Sequence, residues 1–344
     1  MPDLPARPDL GQLRNQAKDF LHAAKNGDPD ATRRIRAVSD RLILASAQLA
    51  VAREYGFASW PQLKLEVTRR DVFNTLDLGR LADMLAEDPS LAVTRMEHWC
   101  DHRKGVTPVP YIAMLRFDAR RLGLSAELAG TGAMAKALLD AGAPVDGDPD
   151  EKETPLITAA SYGDAEVARA LIMAGANVEA RAADDAGGVP GATALLHAAV
   201  FGMTDVLDVL VSARARVHSI EEAAAAGDIS GWLRPDTPAQ ARIRALVMAA
   251  DHQRLGVVDE LLAAGTPIDA NDEVWGRQAL RVAAQNARVA SVEHLLARGA
   301  DPNARDPQDG RTALDWCRHA RSGATDRRAH DRVEAILDAV TTEV

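Results

Sequence analysis

The sequence predicts an all-α repeat fold, a solenoid of helix-turn-helix units joined by short hairpin loops. Residues 154–181 have the pattern of two short helices separated by a glycine turn, and this pair has no third element against which to bury its apolar side chains. Similar segments flank it at regular spacing. Hydrophobic residues make up 47% of the chain but aromatic residues only 4%. The core must therefore be built from Ala, Leu and Val, which suits closely packed short helices.

The unit that begins at Thr154 shows the pattern most completely. The Thr154 hydroxyl is placed to cap the first helix, and Pro155 stands at the first helical position, where its missing N–H is harmless. Gly163 ends this helix, and Gly175 ends the second one. The apolar stripe of the second helix is formed by Val167, Leu171 and Ile172.

Copies of this unit follow in the same register, with a double alanine, a leucine pair and a closing glycine at matching offsets. They begin at Thr193, Arg244 and Gln278. Thr312 opens a last unit, with Leu314 and Trp316 in its first helix. In the Thr193 copy, Arg214 stands where the closing glycine is expected. We expect the equivalent leucines to stack at regular intervals in one elongated core; these are Leu171, Leu210, Leu261 and Leu295.

Taken together, these units resemble ankyrin repeats, whose period is about 33 residues and whose first helix opens with T-P-L-H-x-A. The resemblance covers residues 71–344, with irregular repeats near 71–148 and 220–240. Ile157 stands in the place of the motif's histidine in the Thr154 unit, and His197 is displaced by one position in the Thr193 unit. The resemblance implies a solenoid that binds a partner protein on its concave face and hairpin tips.

Residues 1–70 do not follow the repeat, and their pattern predicts four helices. The string of residues 52–64, AREYGFASWPQLK, resembles an N-terminal helical module that accompanies ankyrin arrays in bacterial proteins. This resemblance implies a cap that covers the first repeat, which a solenoid needs for solubility. A separate recognition module is the alternative interpretation.

Two interruptions of the array are also predicted from the spacing. The unit of residues 107–146 contains surplus residues, which we expect to lengthen its first helix and the following turn. The unit of residues 220–238 has a first helix but only a truncated second element, because Pro235 and Pro238 interrupt it.

Composition limits the possible functions and locations. The net charge of −10 argues against a general nucleic-acid or anionic-membrane binder. No apolar run is long enough to cross a membrane, and no signal peptide is evident. Two cysteines, Cys100 and Cys317, fit a reducing cytoplasm.

Neither a cofactor nor a catalytic site is predicted. His98, Cys100 and His102 form an H-x-C-x-H string, but zinc sites require a second ligand pair, which the sequence lacks. We therefore predict no metal site. No known nucleophile motif is present either.

The predicted partner-binding residues follow the double alanines or lie in the hairpin tips, which face the concave side in ankyrin-like stacks. They are Tyr162, Phe201, Asp251, His252, Trp275, Arg277, Gln285 and Asn286. Tyr162 and Phe201 hold equivalent places in adjacent units, so we expect a neighbouring aromatic pair that anchors a partner. Folding of the loop 182–192 over this pair is the alternative.

The sequence therefore predicts a protein–protein interaction module whose partner it does not identify. The alternative is an enzyme or small-molecule binder with a pocket formed by the insertions at 107–130 and 220–240. A deep pocket lined by Asp251, His252 and an aromatic side chain would favour that alternative.

Overall fold

The computed structural model describes residues 4–5, 7–96, 105–125, 128–324 and 326–342. The chain forms two compact units, Met1–Pro144 and Val145–Val344. The regular secondary structure of the described residues is helical, and one isolated β-bridge joins Arg181 to Thr193. The predicted all-α class is confirmed. Within the described ranges, no helix combines the length and hydropathy that a membrane span requires.

The first unit contains seven α-helices within its described residues. They are α1 (Leu10–Lys25), α2 (Pro29–Arg36), α3 (Leu44–Glu54), α4 (Trp60–Asn74), α5 (Leu78–Glu87), α6 (Pro108–Leu122) and α7 (Thr131–Asp140). The Asp9 carboxylate accepts a hydrogen bond from the Gln12 N–H at 2.6 Å and caps α1. The four predicted N-terminal helices are present, but α4 continues through Asp71, where the sequence predicted a new helix pair.

The second unit contains the regular helix pairs. Its helices are α8 (Pro155–Tyr162), α9 (Ala165–Met173), α10 (Ala194–Val200), α11 (Thr204–Ser212), α12 (Ile220–Ala226), α13 (Ala239–Asp251), α14 (Leu255–Ala263), α15 (Ala279–Gln285), α16 (Val289–Ala297), α17 (Ala313–Gly323) and α18 (Arg328–Asp338). Within this compact unit, the first helices of successive repeats pack in a row: α8 on α10, then α12, α13, α15 and α17. This unit is a helical repeat solenoid.

Local sequence explains where the regular helices begin and end. The Thr154 hydroxyl accepts a hydrogen bond from the Ile157 N–H at 3.3 Å, so the predicted cap is present. Arg214 adopts the left-handed conformation, with φ of 62°, at the position where the other units use glycine. The four leucines of the second helices, Leu171, Leu210, Leu261 and Leu295, are fully buried.

The two predicted interruptions are present in the structure. Helix α6 has 15 residues where α8 has 8, in line with the predicted lengthening. Helix α12 is followed by turns, and no second helix forms before Ala239. Helix α13 begins at Ala239, earlier than the predicted start at Arg244, because Pro238 precedes its first turn and does not interrupt it. The H-x-C-x-H string at 98–102 lies outside the described residues.

Candidate functional site

The turns on either side of the truncated unit contact each other directly. Asp251, at the end of α13, accepts hydrogen bonds from Asn286 Nδ2 at 2.8 Å and Arg288 Nε at 3.1 Å. Arg288 also donates through Nη2 to the Gly202 carbonyl oxygen in the α10–α11 turn. A Cβ at Gly202 would lie 2.8 Å from Asp251 Oδ2, so a larger residue there would have to displace the Asp251 carboxylate. Three turns that are far apart in sequence therefore form one cluster.

His252 strengthens the same contact through both ring nitrogens. Nε2 lies 2.9 Å from the Ala199 carbonyl oxygen, and Nδ1 lies 2.9 Å from Thr204 Oγ1. Because a carbonyl oxygen only accepts, Nε2 carries the proton, and in the neutral ring Nδ1 accepts from the Thr204 hydroxyl. Burial lowers the pKa of His252, which favours this neutral form.

His197 makes an equivalent pair of contacts between α8 and α10. Its Nδ1 lies 2.8 Å from Ser161 Oγ, and its Nε2 lies 3.0 Å from the Val189 carbonyl oxygen. The pKa of His197 is also lowered by burial. Although the motif's usual histidine position is occupied by other residues, histidines still connect adjacent units in this chain.

The hairpin before α15 brings Trp275 and Arg277 to this cluster. The Asp272 carboxylate accepts hydrogen bonds from the backbone N–H groups of Val274, Trp275 and Arg277 at 2.7–3.0 Å, which fixes the hairpin. The Arg277 guanidinium carbon lies 4.4 Å from the centre of the Trp275 ring. Arg277 Nη1 donates to the Val200 carbonyl oxygen at 3.1 Å, so the hairpin reaches the residue next to Phe201.

We call this assembly the turn face. It consists of Val200, Phe201, Gly202, Asp251, His252, Trp275, Arg277, Asn286 and Arg288. Six of the eight predicted partner-binding residues belong to it. Of the other two, Tyr162 ends α8 beside Ser161, and the Gln285 carbonyl oxygen lies 3.1 Å from His330 Nε2.

The predicted partner-binding residues fall into three groups by their exposure to solvent. Phe201 and Trp275 are 38% and 44% exposed, and Gln285 is also exposed. Tyr162, Arg277 and Asn286 are half-buried. By contrast, Asp251 and His252 are each only 1% exposed. The sequence placed both on the concave surface, but contact between the turns encloses them, so they position other residues and cannot touch a partner directly.

The loop 182–192 approaches one side of the predicted aromatic anchor. A Cβ at Gly188 would lie 3.2 Å from the His197 ring and 3.5 Å from the Phe201 ring. Phe201 also packs against His197, with ring centres 5.9 Å apart. The loop therefore covers part of Phe201, as one of the two interpretations expected, while more than a third of the side chain stays accessible.

Arg288 and Asp272 were not among the predicted site residues. Arg288 bonds the turns of the turn face to each other, and Asp272 fixes the hairpin of Trp275. Arg288 precedes α16 just as Arg254 precedes α14, so a recurring arginine at this position was the available signal. Arg254 also crosses the truncated unit, since it donates to the Ala225 carbonyl oxygen at 2.8 Å and pairs with Asp208.

The described residues contain no group of three or more His, Cys, Asp or Glu side chains arranged to hold a metal ion. Burial raises the pKa of the Cys317 thiol to about 11, which makes it a poor nucleophile.

In the first unit, an open cavity of about 910 Å³ lies between α1, α2 and α3. Asp9 and Asp28 on its wall cap helices.

Comparison with known proteins identifies the repeats. The family model described as ankyrin repeats (3 copies) matches residues 122–221, and the model described as ankyrin repeat matches residues 275–307. Among solved structures, the crystal structure of the human ASB11 ankyrin repeat domain is similar. Its identity is 22% over 70% of this chain and 100% of that chain, with a TM-score of 0.33. No curated protein sequence matches the chain.

Proposed function

We propose that this chain, which is an ankyrin repeat protein, binds another protein through the turn face. Ankyrin repeats are generally protein–protein interaction modules. The observation that carries the proposal is the pair of accessible aromatic side chains near Arg277: Phe201 follows the residue whose carbonyl oxygen Arg277 contacts, and the Trp275 ring lies over the guanidinium. Aromatic and arginine side chains supply a large share of binding energy at protein interfaces.

The hydrogen bonds behind these side chains support the proposal. Asp272 fixes the hairpin of Trp275, and the contacts of Asp251 and His252 fix the turn that follows Phe201. A rigid surface loses little conformational entropy on binding, so more of the contact energy appears as affinity.

An enzyme that used Asp251 and His252 is less well supported. Substrate would have to reach side chains that are 1% exposed. Both ring nitrogens of His252 are already engaged, with Ala199 and Thr204. The pair is suited to holding the turns together and not to proton transfer with a substrate.

The test is quantitative co-purification from the source cells with a double variant, Phe201→Ala with Trp275→Ala. We expect proteins retained by the wild type to be lost, while the circular dichroism spectrum stays that of the folded helical protein. Met173→Ala is the matched control, since Met173 is 87% exposed on α9. Retention of the same proteins by the double variant would rule out the turn face as the binding surface. Tyr162→Ala with Phe201→Ala extends the test toward α8.

We further propose that residues 1–70 form a helical module that caps an array comprising residues 71–344. These helices have their own buried core, which runs from Leu4 to Val67. Helix α4 contacts α5 and α6, which begin the array. Deletion of the module should expose apolar surface and cause self-association in size-exclusion chromatography. A truncated chain that stays monomeric would contradict this role.

We also propose a cytoplasmic location and a protein partner, not a nucleic acid. The buried, unpaired Cys317, whose thiol has a raised pKa, supports the cytoplasmic location. The net charge of −10 supports a protein partner over a nucleic acid. Fractionation of the source cells tests the first. Titration with duplex DNA at low salt tests the second, and binding that weakens as salt increases would contradict it.

A further inference from the structure

The charged side chains at the turn face differ in how many of their polar atoms form hydrogen bonds. Asp251 is bonded to Asn286 and Arg288, and Asp272 is bonded to three backbone N–H groups. Arg277 differs, because its hydrogen bond to the Val200 carbonyl uses only Nη1. It forms an ion pair with Asp272, but Nε lies 3.7 Å from Asp272 Oδ2, which is too long for a hydrogen bond. Among the residues that the structure describes, neither Nε nor Nη2 of Arg277 has a hydrogen-bond partner.

The Arg277 guanidinium lacks hydrogen bonds that it would form with water in the unfolded chain. Burial lowers the pKa of Arg277, and the negative charges of Asp272 and Asp251 offset only part of this shift. A buried charged donor without a partner costs free energy that a suitable acceptor would return. A carboxylate is the acceptor whose two oxygens match a guanidinium edge.

The surroundings of Arg277 are apolar and accessible. The Trp275 ring covers the guanidinium and is 44% exposed, and Val274 beside it is 58% exposed. Phe201 follows Val200, the residue whose carbonyl Arg277 contacts. A ligand that placed a carboxylate on Arg277 would therefore also place neighbouring apolar groups on these side chains.

We propose that the turn face recognises a segment of the partner protein in which an Asp or Glu is flanked by apolar side chains. The carboxylate pairs with Arg277 as the Trp275 ring turns aside, and the flanking side chains pack against Trp275, Val274 and Phe201. This inference rests on the proposed binding function and adds the chemistry of the bound segment. Arg277 supplies specificity, while the aromatic side chains supply most of the contact area.

The test is a selection of random 12-residue peptides displayed on phage against the full chain, followed by titration of the selected peptides. We expect enrichment of Asp or Glu next to Leu, Phe or Trp. Replacement of that acid by its amide should weaken binding roughly tenfold or more, as expected for a charged hydrogen bond. Arg277→Met should weaken binding of the acidic peptide to a similar extent and leave the affinity for the amide peptide nearly unchanged.

A control variant and two further outcomes separate failure of the carboxylate inference from failure of the proposed binding function. Arg318→Met removes an exposed, ion-paired arginine elsewhere in the second unit and should leave binding unchanged. Peptides that require Phe201 and Trp275 but bind equally well with the acid or its amide would overturn the carboxylate inference alone. Failure to obtain any peptide that depends on Phe201 and Trp275 would overturn both this inference and the proposed function.

Discussion

Regular helix pairs and the truncated unit of residues 220–238 connect to their neighbours in different ways. In the regular pairs, the second helices α9 and α11 pack together, and their leucines Leu171 and Leu210 are fully buried. Around the truncated unit, His252 and Arg288 donate to the carbonyl oxygens of Ala199 and Gly202 at the end of α10, and Asp251 holds Arg288 in place. Loss of one helix from the stack thus replaces apolar burial with directional hydrogen bonds, and these hold the turn face in place.

The largest effect is expected in the regular pairs. Leu210→Ala should lower the free energy of unfolding by about 3–5 kcal/mol, because a fully buried leucine leaves a cavity when truncated. Val211→Ala on the same helix is the control, since Val211 is 38% exposed and should lose much less. Urea unfolding monitored by circular dichroism measures both. Equal losses would mean that apolar stacking does not stabilise these pairs.

A smaller loss is expected when the polar network is cut. Arg288→Met should cost about 2–4 kcal/mol, because it leaves the carboxylate of Asp251 buried without its charged partner. Arg277→Met should cost less, about 1–2 kcal/mol, because Asp272 loses an ion pair at 3.7 Å but keeps its three backbone hydrogen bonds. The same urea titration compares the two variants.

Arg318→Met, at an exposed ion pair, is expected to have almost no effect and serves as the control. If Arg277→Met were as costly as Arg288→Met, Arg277 would belong to the structural network, and its role as a spare donor for a partner would be wrong.

The smallest effect is a dependence of stability on pH. Because burial lowers the pKa of His252 and His197, the unfolded chain binds more protons than the folded chain below about pH 6.5. The free energy of unfolding should therefore decrease as pH falls from 6.5, with full stability above it. His252→Gln should reduce this slope in melting curves recorded between pH 7 and pH 5. An unchanged slope would show that His252 does not contribute to it.

Much of the regular fold could be predicted from the sequence because its determinants are local. The cap at Thr154, the apolar stripe of α9 and the closing glycine at Gly175 each act within a few residues. Even Arg214 could be placed, because the register required a left-handed residue there. The early start of α13 was missed because prolines interrupt some helices and begin others.

The candidate site was harder to predict because it depends on contacts between distant residues. The sequence placed His252 in the correct turn but on an open surface. The structure encloses it against Ala199 and Thr204, about fifty positions earlier in the chain. Nothing near His252 in the sequence indicates that the truncated unit allows these turns to meet. The free donors of Arg277 follow from the same tertiary contact, so periodicity alone could not reveal them.

The most direct test of the polar network that holds the turn face is a double-mutant cycle with Asp251→Asn, Arg288→Met and the combined variant. Urea unfolding of the four proteins gives the coupling energy between the two side chains. We predict that the combined variant loses less stability than the sum of the single variants, by at least about 1 kcal/mol. Strictly additive losses would contradict the account, since they would mean that Asp251 and Arg288 do not act together to join the turns.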